Sequence, residues 1–156
     1  MDENKLMLAK QVYADLCNAV EKRNWNFTKN DENLGISFRV SGDDIAMDFV
    51  LYIDAERQLI RLLSQMPFNM SESNRIEGAV AVCAASFAMV HGNFVYNIGD
   101  GSIVYRIVQS YRESRIGDGL FYYLISCACA MVDKYNDKFL ALDKGMIGIS
   151  DFISQE

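Results

Sequence analysis

Ile45-Ala46-Met47-Asp48-Phe49-Val50-Leu51-Tyr52-Ile53-Asp54 decides the class of fold. Ile45, Met47, Phe49, Leu51 and Ile53 alternate with Ala46, Asp48, Val50, Tyr52 and Asp54. A period of two puts the first set on one face of a strand. Asp54-Ala55-Glu56-Arg57 closes that strand, and Leu59 to Met66 predicts another with weaker alternation. Upstream, Ser41-Gly42-Asp43-Asp44 is a turn cluster. Before it, Ile36, Phe38 and Val40 alternate with Ser37 and Arg39. Asn30-Asp31-Glu32-Asn33 is a second turn cluster, and Trp25 to Lys29 predicts a short first strand. Connections this short make all four strands antiparallel neighbours. Pro67 is expected to end the run, because it cannot donate to a ladder.

Helical periods flank this block. Leu6, Ala9, Val12, Tyr13, Leu16, Cys17 and Val20 recur at steps of three and four, predicting an amphipathic helix from Lys5 to Arg23. Ser71 or Ser73 can cap a second helix from about Glu72 to His91, with Gly92 as its left-handed terminator. Phe94 to Ile98 and Ile103 to Tyr111 predict a hairpin around Gly99-Asp100-Gly101-Ser102. Gly117-Asp118-Gly119 opens a third helix, from about Leu120 to Leu142, and Ser150 to Ser154 has room for one last turn. The order is α-β-β-β-β-α-β-β-α. It predicts a single α+β domain over residues 1–156, an antiparallel sheet with helices on one face. Strict strand–helix alternation, as in a doubly wound nucleotide fold, is absent.

Composition narrows the function classes. A 51% hydrophobic and 23% charged chain folds rather than staying disordered. The formal net charge of −6 argues against a nucleic-acid binder, which needs a basic footprint. No stretch reaches the ~18 apolar residues of a membrane span. Met1-Asp2-Glu3-Asn4-Lys5 lacks the basic start and apolar run of a secretory signal. Cys17, Cys83, Cys127 and Cys129 each fall in an apolar helical pattern. A cytoplasmic protein with reduced, buried thiols is expected.

Several local features carry a resemblance. Trp25-Asn26-Phe27 follows the first helix, and Gly35-Ile36-Ser37-Phe38 begins the sheet proper. Val50-Leu51-Tyr52-Ile53-Asp54 precedes Leu59-Ile60-Arg61. The second helix runs into Val90-His91-Gly92-Asn93-Phe94, and Gly101-Ser102-Ile103-Val104-Tyr105-Arg106 follows the hairpin. Asp133-Lys134-Tyr135 lies late in the last helix. From Leu6 to about Gly145 the chain resembles the YbjN family of bacterial proteins, loosely described as sensory transduction regulators. Ser86 stands where that resemblance implies an Asn. The resemblance implies a type III secretion chaperone-like fold and a dimer that binds proteins. It implies no chemistry.

The residues themselves offer little chemistry. His91 is the single histidine, placed to meet free carbonyls at a helix end rather than to act with a partner. Gly99-Asp100-Gly101-Ser102 joins two strands and has no Lys after it, unlike a phosphate loop. Asp31, Asn33 and Gly35 do not keep calcium-loop spacing, since Ile36 and Gly42 occupy the positions that need Gly and Glu. Asp43 and Asp44 are turn residues. Cys127 and Cys129, two apart on a helix, point ~200° away from each other and cannot share a metal. No cofactor, no metal and no catalytic residue is expected.

Two surfaces remain. From Ala79 to Val90 the second helix has no charged residue. Ile76, Val80, Cys83, Ala84, Phe87 and Val90 share one face, expected to cover the sheet. Gly78, Val82, Ala85 and Met89 share the other, the candidate interface of a homodimer. Arg106, Ser110 and Arg112 share one strand face by parity. Arg106 and Arg112 are candidate partner-binding residues for a carboxylate-rich or phosphorylated segment. The expected function is a non-catalytic, dimeric protein-interaction module of the chaperone or signalling-regulator kind. The alternative is a small-molecule sensor, or an enzyme, with a pocket between helices and sheet.

Overall fold

The structure, a computed structural model, describes residues 2–154. The first helix, α1 (Glu3–Lys22), starts where the Asp2 carboxylate accepts from the Asn4 N–H at 2.9 Å. This satisfies one of the orphan donors at a helix start. Six strands follow in two groups: β1 (Thr28–Asn30), β2 (Gly35–Val40), β3 (Met47–Asp54) and β4 (Leu59–Asn69), then β5 (Asn93–Asn97) and β6 (Ser102–Ser110). A 3-10 turn (Glu72–Asn74) and α2 (Arg75–Phe87) separate the groups, and α3 (Asp118–Asp143) and α4 (Ile149–Ser154) end the chain. The strands form one antiparallel sheet in the order β1-β2-β3-β4-β6-β5. The α+β expectation holds, with its element order.

The pleat sorts the side chains as the alternation requires. Met47, Phe49, Leu51 and Ile53 of β3, Ile60 and Leu62 of β4, and Ile103, Tyr105 and Ile107 of β6 are buried beneath the helices. Phe94 of β5 anchors the far side. Its ring meets Tyr105, Tyr135 and Phe139 edge-on at centroid distances of 5.2, 5.4 and 5.1 Å. Each such pair is worth about 0.5–1.5 kcal/mol beyond area burial. Phe152 of α4 closes this cluster against Phe139 at 5.3 Å.

Four expectations need correction. Trp25 is not in a strand. Asn24 takes a positive φ of 53°, and the Trp25 N–H reaches back to the Val20 carbonyl at 3.4 Å. This left-handed helix ending redirects the chain, so pairing starts only at Thr28. Pro67 does not end the sheet either. β4 continues to Asn69, with a register shift against β6 between Gln65 and Asn69. On its other side β4 pairs with β3 only from Leu59 to Leu63. Pro67 therefore sits in an irregular stretch whose second edge is open, a place that tolerates a missing donor.

The second helix is shorter than expected, ending at Phe87 with its cap at Ala88. Gly92 is left-handed, at φ +81°, but it lies in the following turn. The faces of this helix are also the reverse of the expectation. Gly78, Val82 and Ala85 are buried and Met89 is half-buried, whereas Ile76, Val80, Cys83, Phe87 and Val90 are exposed. Close approach is the reason. A side chain at position 78 would run into Met70 and the Tyr96 hydroxyl, which donates to the Arg75 carbonyl at 2.9 Å. Only small residues fit there, so the helix turns its bulky apolar residues outward.

Candidate functional site

The helices lie on one face of the sheet, and the other face is uncovered. Parity puts Asp48, Val50 and Tyr52 of β3 on it, with Arg61, Leu63 and Gln65 of β4 and Val104, Arg106 and Val108 of β6. Register sets them side by side: Val50 opposite Leu63 and Leu63 opposite Arg106, then Tyr52 opposite Arg61 and Arg61 opposite Val108. Val50 is 47% exposed, Val108 40% and Val95 of neighbouring β5 36%. Beyond Val50 and Leu63, β3 and β4 separate. The gap, about 610 Å³, is lined by Ala46, Asp48, Gln65, Pro67 and Val104 among others.

The charges on this face are unequal in their commitments. Arg39 gives both Nε and Nη2 to the Asp48 carboxylate at 2.7 Å. Asp54 receives Arg57 Nη1 at 3.3 Å and Arg61 Nη2 at 3.2 Å. Burial would raise the Asp54 carboxyl, but the Arg57 backbone and side chain and the Arg61 charge hold it below the ordinary carboxylate range. Arg106 is different. It is exposed, lies between Val104 and Val108 on its strand, and has no ion pair among the described residues. A guanidinium without an ion pair, set between Leu63 and Asn93 across the strands, is a ready fork for a carboxylate or phosphate.

Arg112 does not join it. β6 stops at Ser110, whose hydroxyl accepts from the Arg112 N–H at 3.2 Å, and the Ser114 N–H reaches the Tyr111 carbonyl at 3.3 Å. Arg112 stands in that turn, past the end of the strand that carries Arg106. The candidate pair is one site residue and one turn residue.

The other sequence candidates fall elsewhere. His91 does not cap the second helix. Its ring stacks on Tyr123 at 5.5 Å with Nδ1 3.3 Å from that hydroxyl, and its carbonyl accepts from Tyr105 at 3.1 Å. Asp31 accepts from the Tyr13 hydroxyl at 2.7 Å, and Asp43 offers its backbone N–H to Asp133 at 3.0 Å. Cys17 is buried, and burial pushes its thiol up. Cys129 is pushed up to about 11 by burial and by the Asp133 charge. Cys83, expected to be buried, is exposed because its helix faces the other way. Among the described residues no group of three His, Cys, Asp or Glu could hold a metal, and no helix is long and apolar enough to cross a membrane.

Sequence reasoning missed the outward stripe on α2. Ile76 is 68% exposed and Phe87 93%, with Val80 and Cys83 between them, and exposed Val90 lies past the helix end. Single exposed apolar residues are ordinary, but a contiguous row at helical spacing marks an interaction surface. The signal was present in the small residues Gly78, Ala81 and Ala85, which mark the face of closest approach.

No family model matches the chain, and no curated protein matches it. Among solved structures, a chain of the crystal structure of the ExsC-ExsE complex is similar at 14% identity, covering 88% of this chain and 94% of that one, with a TM-score of 0.49. The likeness is one of overall arrangement.

Proposed function

We propose that the chain is a non-catalytic protein-interaction module of the chaperone or regulator kind. It binds a partner segment on the uncovered sheet face and pairs with a second copy through the outward stripe of α2. The observation that carries this reading is Arg106, an unpaired guanidinium flanked by Val104 and Val108 on a face that no helix covers. Exposed valines beside a guanidinium with no ion pair among the described residues suit a segment bearing apolar residues and a carboxylate or phosphate, because each side supplies what the other lacks. The stripe from Ile76 to Phe87 is suited to two-fold pairing, which presents the same patch twice.

A photo-crosslinker at position 108, with the same group at exposed Ala130 of α3 as control, tests the first part in the native host. The expected result is one partner crosslinked from position 108 and lost in Arg106→Glu. Equal crosslinking from both positions, or none from 108, would overturn it. Light scattering tests the second part. Twice the chain mass is expected for wild type, and the single mass for Phe87→Glu, since the interface would then bury an unpaired carboxylate. A monomeric wild type at tens of micromolar removes the pairing.

A further inference from the structure

The left-handed ending of α1 leaves a hole in the packing. β1 pairs only with Gly35 to Ser37, so Phe38 to Ser41 face residues 24–26 across a cavity of about 500 Å³. Trp25, Phe38 and Val40 form its walls, with Val20, Ile125 and Cys129 deeper in. The cleft opens to solvent between exposed Asn24, Asn26, Ser41 and Ser126, and its apolar walls offer a guest dispersion contacts that no side chain of the lining fills. Small-molecule sites have this size and this make-up, apolar walls with a few polar groups at the mouth. Here the uncharged polar groups are Asn24, Asn26, Ser41 and Ser126. Among the described residues only Arg39 brings a charge to the lining, and its guanidinium is already taken by both oxygens of Asp48.

We propose that this cavity binds an uncharged, ring-bearing small molecule with one hydrogen-bonding group. The ring lies against Trp25 and Phe38, whose faces favour an aromatic guest over an alkyl chain. The polar group points to the mouth, toward Asn24, Asn26 and Ser126. A charged guest would give up water and find no free partner inside, which costs affinity. The site shares no surface with Arg106, so it stands or falls separately from partner binding.

Trp25 is the one tryptophan of the chain, so its emission reports on the cavity directly. The probe is 2-naphthol, uncharged at pH 7, its own absorbance and emission being subtracted with a protein-free blank. The expected result is saturable quenching at one probe per chain, with about tenfold or weaker affinity for the anion 2-naphthoate. Ser126→Phe and Asn26→Phe, both at exposed lining positions, one on α3 and one in the loop after α1, should each weaken 2-naphthol about tenfold while urea midpoints stay in place. Quenching that never saturates overturns the proposal. So does equal affinity for the anion, or binding unchanged by either filling substitution.

Discussion

The Ser86 side chain closes both open backbone groups of Phe94. Its hydroxyl oxygen accepts from the Phe94 N–H at 3.1 Å and its proton is offered to the Phe94 carbonyl at 3.3 Å. β5 is an edge strand, so these groups would otherwise lack a ladder partner, and Phe94 is 97% buried by its neighbours (3% exposed). Ser86→Ala leaves the buried Phe94 N–H unpaired, while the Phe94 carbonyl keeps the bond from Asn93 Nδ2 at 3.1 Å. A loss of about 1–3 kcal/mol is expected by urea denaturation. Ser86→Asn, whose amide both donates and accepts, should recover part of it. An unchanged midpoint in Ser86→Ala would show that water replaces the hydroxyl.

Two glycine substitutions should act in opposite directions. Gly92 has φ +81°, and an added Cβ would run into the Tyr105 hydroxyl and into Ile107 Cγ1 at 2.8 Å. Gly92→Ala should destabilise by more than ~1 kcal/mol, from strain and crowding together. Gly119, in the first turn of α3, has nothing within 4 Å of such an atom. Gly119→Ala should stabilise by up to about 1 kcal/mol, because alanine loses less backbone freedom in a helix. Thermal melts of the two variants check both signs.

Asp143 ties the end of α3 to the entry of α2. It accepts from the Ser71 N–H and hydroxyl, both at 2.7 Å, and its carbonyl accepts from Asn74 Nδ2 at 2.9 Å. Burial raises the carboxyl, but the Ser71 and Asn74 hydrogen bonds outweigh it and leave it below its ordinary value of 3.8. A lowered folded value means that this stabilisation is complete above the unfolded value and is lost as pH falls through the folded one. Asp143→Asn should therefore be less stable than wild type at pH 7, with the difference shrinking below about pH 4. A difference independent of pH would assign the loss to geometry alone.

The cysteines should separate by rate. Only the thiolate reacts with iodoacetamide, and at pH 8 a thiol with a value of about 11 is ~0.1% ionised. Cys129 and buried Cys17 should label slowly, and exposed Cys83 first. In the proposed dimer Cys83 lies inside the contact, so its labelling should slow as protein concentration rises and stay fast in Phe87→Glu. Mass spectrometry of the digested protein reads each site.

The alternation in Met47 to Asp54 and the glycine turns made the sheet legible, because a period of two admits one arrangement of inside and outside. α2 was not legible in the same way. Its residues are apolar all round, so hydropathy could not choose a face, and the choice fell to the room available beside Met70 and Tyr96. Arg106 could be placed by parity because it lies mid-strand. Arg112 could not, since parity fails once Ser110 turns the backbone. Trp25 was misread because Asn24 is left-handed, a conformation that a single asparagine permits without demanding.

β4 has a boundary within it at Leu63, four residues before Pro67. From Leu59 to Leu63, β4 is bonded by a neighbour on each side, whereas beyond Leu63 it keeps β6 and leaves β3. Length and protection therefore part company. In native-state hydrogen exchange the first five residues of β4 should hold their protons as long as any in the sheet. Beyond them, amides turned toward the gap should trade with solvent early. The slowest-exchanging block of the molecule would then end four residues before the proline.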